Sequence, residues 1–168
     1  MRLGLCITVL AAAIAVPASA ADMPKRKSGL WDVKVTHVGT ASAPADAQSM
    51  QMCVDTKTDN ALHQSAAAGG KQSCTRQDVR QEGNRTVVDS VCKFGESTAT
   101  TRAVFTGSFD SAYTVDIKTT YNPPFMGSKE GNTAMEARWV GPCKADQKPG
   151  DVILGNGMKI NMNGATGK

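Results

Sequence analysis

The side chains that could do chemistry in this chain are cysteines, histidines, methionines and one close pair of carboxylates. Five cysteines occur: Cys6 in an apolar N-terminal run, then Cys53, Cys74, Cys92 and Cys143. No two of them form a C-x-x-C pair, so neither a dithiol redox centre nor a close-paired zinc site is indicated. The two histidines, His37 and His63, lie far apart with no serine or cysteine nucleophile motif near either. A nucleophile needs a base and an orienting partner, and no G-x-S-x-G, H-E-x-x-H or P-loop pattern supplies them. Asp55 and Asp59 are spaced to share one face of a helix. Such a pair could do acid–base or calcium work, but an exposed capping turn is the plainer reading. Met50, Met52, Met158 and Met162 could offer thioethers to Cu(I). Met158, Ile160 and Met162, however, alternate as one face of a strand would, which points to core filling. The sequence therefore gives no catalytic residue, no metal ligand set and no cofactor.

Residues 1–20 read as a secretory signal peptide. Arg2 gives a positive start, Leu3 to Val16 is apolar, and Ala18-Ser19-Ala20 is a small-residue cleavage site. Cleavage after Ala20 removes Cys6, and no transmembrane segment follows. The compartment implied is the periplasm or the exterior. Residues 21–28 form a basic leader, with Lys25, Arg26 and Lys27 read as a solvated charge run. A tail of this kind could touch acidic lipid or nucleic acid, but no nucleic-acid partner is expected. One disulfide-stapled β domain spans 29–163, and 164–168 is a frayed tail. The remaining cysteines, even in number and destined for an oxidising compartment, argue for two disulfides. Three connectivities are open; the favoured one joins Cys53 to Cys74 and Cys92 to Cys143.

Alternation of apolar and polar residues dictates the fold class. The stretch from Arg85 to Tyr121 reads as three consecutive antiparallel strands with short turns between them. In the last, Tyr113, Val115, Ile117 and Tyr121 share one face. In the middle one Ala99, Thr101, Ala103 and Phe105 do. Gly29 to Val38 is a first strand with Trp31, Val33 and Val35 on one side. Strands are also indicated at 49–54, 72–81 and 132–140, and a short hairpin at 151–162. Asp55 to Gln64 suggests a short helix capped by Asp55, Thr56 or Thr58, followed by a flexible connector at 65–71. Residues 122–131 hold two prolines and read as a loop with an apolar tip, Phe125-Met126. The expectation is a mainly β domain: a strongly curved antiparallel sheet, or a partly closed barrel, of about seven or eight strands with one short helix.

Trp31, Tyr113, Tyr121 and Trp139 all fall on apolar strand faces. In a curled sheet they would line the concave side, with Phe125 at its mouth, and could hold a small apolar ligand. The rival reading makes them an ordinary core. On these residues the protein is read as a non-catalytic binding module for a small hydrophobic ligand or an envelope component. The alternative is a structural or protein-interaction factor of the cell envelope with no pocket, and possible partners are a small hydrophobic ligand or an envelope protein.

Four stretches carry a resemblance: G-L-W at 29–31, M-C-V-D at 52–55, D-S-V-C-K at 89–93 and G-P-C-K-A-D-Q-K-P-G-D at 141–151. Together, with a hairpin-rich middle, they resemble the DUF3617 family of small exported bacterial proteins. The resemblance implies a Gram-negative cell-envelope location, two disulfides and no established activity. It brings no catalytic or binding residue to carry over.

Overall fold

The computed structural model describes residues 23–38, 46–59 and 73–162. The expected signal peptide, His63, the remainder of the expected helix, the connector at 65–71 and the tail at 164–168 lie outside them. Nine strands follow one another: β1 (Gly29–Val38), β2 (Asp46–Val54), β3 (Ser73–Glu82), β4 (Arg85–Phe94), β5 (Ser97–Ser108), β6 (Ala112–Phe125), β7 (Ser128–Gly141), β8 (Asp151–Leu154) and β9 (Lys159–Asn161). They make one antiparallel sheet in the order β3-β4-β5-β6-β7-β1-β2-β8-β9. A single helical turn, α1 (56–59), follows β2.

The hairpins β3 to β7 arise where alternation is interrupted by Gly83-Asn84, Gly95-Glu96, 109–111 and Met126-Gly127. Gly83 and Gly95 adopt positive φ, the backbone region that such tight turns demand and that glycine enters without steric penalty. β1 and β2 also pair with strands distant in sequence, β1 with β7 and β2 with β8. β1 lies between β2 and β7, with Trp31 opposite Met52 on one side and Trp139 on the other. The sheet is open, so the partly closed barrel is not formed. β3 pairs with β4 alone and β9 with β8 alone, and a three-residue β9 offers little ladder for any other strand to join.

The prolines did not end the strand as expected. β6 runs through Pro123 and Pro124, and β7 begins as early as Ser128. The reason is local. The β6–β7 register shifts between Thr120 and Phe125, and β5 pairs with β6 no further than Asn122. No neighbouring carbonyl needs the N–H groups that proline lacks.

One face of the sheet is apolar. Trp31, Val33, Val54, Ala103, Tyr113, Val115 and Ala137 form its buried centre, with Met50, Met52, Met135 and Phe105 packed around them. Met50 and Met52 thus fill core, as their alternation suggested. Met158 and Ile160 do not: both are exposed on or beside the edge strand β9.

The disulfides differ from the favoured pairing. They join Cys53 to Cys143 and Cys74 to Cys92. Sheet order explains this. β2 and β3, consecutive in sequence, have five strands between them, which at about 4.8 Å per step puts them roughly 29 Å apart. No Cys53–Cys74 bond can cross that gap. Cys74 and Cys92 instead face one another across the β3–β4 ladder. Cys143, just past β7, reaches over the end of β1 to Cys53 on β2.

Candidate functional site

The two ends of the apolar face are finished in different ways. At the first end, residues 23–28 strap across the sheet. The Lys27 N–H donates to the Phe109 carbonyl at 2.8 Å. The Trp31 indole N–H donates to the Lys27 carbonyl at 2.9 Å. The Trp139 indole donates to the Ser28 carbonyl at 3.1 Å, and the Lys27 ammonium sits 3.8 Å from the centre of the Trp139 ring. An indole that buries its ring still needs a partner for its N–H, and strap carbonyls provide one for both tryptophans.

Arg26 is the strap's anchor. It is only 5 % exposed, and Asp59, its partner on α1, is 0 % exposed. The Arg26 guanidinium Nε meets Asp59 Oδ1 at 2.6 Å, and the Arg26 backbone N–H meets Oδ2 at 2.8 Å. Arg26 Nη1 also lies 3.8 Å from the Met52 sulfur. The reading of Lys25 to Lys27 as a solvated run, and of Asp59 as part of an exposed turn, is therefore overturned for these two residues. A buried charge persists only with a well-placed opposite charge and satisfied hydrogen bonds, and each supplies these to the other across 33 positions of sequence.

Asp55 holds α1 in place to present Asp59. Its carboxylate accepts the N–H groups of Lys57 and Thr58, and the Thr58 hydroxyl accepts the Asp55 N–H at 2.9 Å. This reciprocal bonding is a capping box in form. The Thr58 N–H chiefly holds the Asp55 carboxyl below its ordinary pKa. Beside the ion pair, burial pushes the Tyr113 hydroxyl above its ordinary value, with Arg26 pulling the other way.

At the opposite end the face runs out to solvent at the β6–β7 tip. Phe94, Tyr121 and Phe125 form an aromatic trio, with centroids 5.6 Å apart for Tyr121–Phe125 and 5.8 Å for Phe94–Phe125. Phe125 is 37 % exposed and Met126 89 %. The β6–β7 tip extends three residues past Asn122, the last residue of β6 paired to β5, so it projects by about 10 Å. Met126 has φ of +48°. That backbone region favours glycine, asparagine or aspartate, so a methionine there is a local conflict between side chain and turn.

The five aromatic residues singled out by alternation therefore fall into two groups. Trp31 and Tyr113 pack together at 5.6 Å, with Phe109 stacked on Tyr113 at 4.7 Å and Trp139 opposite Trp31 in the ladder. Tyr121 and Phe125 stand at the other end with Phe94. Phe94 escaped sequence reasoning because it closes a strand beside a turn. Arg26 escaped because a basic run at a chain end looks solvated. One signal was present: Asp59 falls one turn after a capping aspartate, on the inward side of the turn.

His37 is exposed at the end of β1, its Nδ1 3.2 Å from the Thr133 hydroxyl. Among the described residues no group of three histidine, cysteine, aspartate or glutamate side chains could hold a metal ion. No helix among them is long and apolar enough to cross a membrane.

A family described as "Protein of unknown function (DUF3617)" matches residues 26–143. The chain belongs to the DUF3617 family. The matched span opens at the buried Arg26, closes at Cys143 and takes in both disulfides. β8 and β9 lie beyond it. No curated protein and no solved structure matches the chain.

Proposed function

We propose that this protein is a non-catalytic, exported interaction factor of the cell envelope, and that it grips a protein partner with the tip of its β6–β7 hairpin. One observation carries the reading: Met126, almost fully exposed, occupies a left-handed turn position that its side chain disfavours, directly after the exposed Phe125. Backbone strain of this sort persists where the side chain has a use. Phenylalanine, tyrosine and methionine on a polar-rimmed patch make the composition of a protein interface core. The rim is mixed in sign, with Lys93 and Lys129 against Glu96 and Glu130, which favours a protein over an anionic membrane surface.

A small hydrophobic ligand on the inner aromatic face is the weaker reading. Trp31 and Tyr113 already spend their surface on each other, on Phe109 and on Phe105. A ligand there would have to displace that packing and the strap. Export is supported by the two disulfides, which persist in oxidising compartments.

The test is a photo-crosslinking amino acid at position 126, irradiated in cells that express the full chain. The expected result is one discrete adduct with a protein, lost on Phe125→Ser. A ligand-free monomer in every lane, or an adduct indifferent to Phe125→Ser, would refute the reading.

A further inference from the structure

The polar face of the sheet carries two charged clusters, and they are arranged differently. On β3 to β5, Arg80 meets Glu82 at 2.8 Å and Asp89 at 2.5 Å, while Arg102 lies 3.6 Å from both carboxylates. Those four charges neutralise one another. On β1 and β7, Asp32 lies opposite Arg138 and Lys34 opposite Glu136 in the ladder. They form a two-by-two checkerboard of alternating sign. Yet no ion pair within 4 Å joins any of the four among the described residues; Asp32 only accepts the Gln51 amide at 2.8 Å.

These four side chains stand in a groove of about 910 Å³. Register defines its shape. Its floor is the backbone of the row Gly107, Tyr113, Ala137, Val33, Met50 and Leu154; Tyr113, Ala137, Val33 and Met50 turn their side chains to the apolar face. One wall carries Arg138 and Asp32, the other Glu136 and Lys34. The groove crosses six strands, which at the usual spacing makes it roughly 24 Å long.

We infer that this groove binds a short extended peptide segment bearing charges of both signs, in the order acid-base-base-acid or its inverse. The inference goes beyond the hairpin-tip function and is independent of it. A lipid tail or a neutral glycan would desolvate four charges without pairing them. A nucleic acid would meet two carboxylates where it needs only cations. An extended peptide directs successive side chains to opposite sides, so its residues reach the two walls in turn. At β7 they meet Arg138 on one wall and Glu136 on the other. At β1 the signs are reversed, with Asp32 and Lys34. A peptide Glu-Lys-Lys-Glu satisfies all four, as does Lys-Glu-Glu-Lys. The strictly alternating Glu-Lys-Glu-Lys, of identical composition, satisfies one pair and opposes the other.

The experiment titrates the isotopically labelled mature chain with capped Glu-Lys-Lys-Glu and capped Glu-Lys-Glu-Lys, read by amide chemical shifts at low salt. Saturable shifts at Asp32, Lys34, Gln51, Glu136 and Arg138 are expected with the first peptide. Affinity should be at least about fivefold weaker for the second, a difference of roughly 1 kcal/mol. Asp32→Lys with Lys34→Glu reverses the two signs on β1 and should exchange the two preferences. Equal binding of both peptides, no saturable shift, or shifts centred on Phe125 would overturn the inference. Phe125→Ser should bind the first peptide unchanged, which separates this site from the hairpin tip.

Discussion

The strap end and the hairpin-tip end finish the same apolar face, and each lies beside one disulfide. At the strap end every aromatic ring is buried or half-buried, both indoles are hydrogen-bonded, and a charged anchor seals the edge. At the tip end the aromatic trio stops at solvent with Phe125 and Met126 outermost. Residues of the same types, placed by the same alternation, thus become core in one place and surface in the other. What separates them is cover from a distant segment, the strap that Arg26 anchors on Asp59. Stability should accordingly concentrate at one end, and recognition at the other.

The largest effect is expected from removing one half of the anchor. Asp59→Ala leaves Arg26 buried without its partner and should destabilise the fold by about 3–5 kcal/mol, measured by urea unfolding. Replacing both, as Arg26→Met with Asp59→Leu, should recover most of that loss, because two apolar groups need no partner. If the double variant is as unstable as the single, the pair is not what holds the strap.

The disulfides come next. The Cys53–Cys143 bond closes 90 residues and the Cys74–Cys92 bond 18. Loop-closure entropy then assigns about 4.5 kcal/mol to the first and about 3 kcal/mol to the second. Replacing each pair by alanines should cost more at the strap end than at the tip end, and equal losses would erase that side of the contrast.

Acid should also act first at the strap. The Thr58 N–H holds the Asp55 carboxyl below its ordinary pKa. A depressed carboxylate contributes stability that is complete above the unfolded value and disappears as pH falls through the folded one. Asp55→Asn keeps a good cap but removes the titration, so its stability should vary less than wild type below about pH 4. Parallel acid profiles would show that the cap's charge is irrelevant.

The smallest effect on stability is expected at the tip. Phe125→Ser gives up the ring contacts with Phe94 and Tyr121 and should lower the unfolding free energy by about 1 kcal/mol, while abolishing the crosslink from position 126. A large loss of stability would make Phe125 a core residue and remove the distinction between the ends.

Much of the sheet was legible in the sequence because its signals are local. Gly29–Val38, Arg85–Phe94 and Ser97–Ser108 run as alternation and turn residues dictate, and Asp55 caps as a residue of its type should. What was not legible depends on order across the sheet. Cys53 and Cys74 flank one connector in sequence, yet their strands stand far apart because β1 pairs β2 on one side and β7 on the other. Pro123 and Pro124 were tolerated for a reason visible only when β5 is seen to stop short of them. Arg26 looked solvated because nothing near it in sequence marks a carboxylate 33 residues away as its partner. At the groove, each charge reads as an ordinary outward residue, and the checkerboard emerges only from the β1–β7 register.

The pairing of β1 with β7 also sets the order in which the molecule can be completed. Trp31 emerges early from any machine that delivers the chain amino end first, but its ladder partner Trp139 arrives more than a hundred residues later. Contacts that distant in sequence make folding slow, and until they form, the strand that carries Trp31 and Val33 presents an unsatisfied flank to other chains. A nascent molecule halted before β7 is therefore a sticky one, and its safe passage depends on rapid completion or on a chaperone that shields that first strand.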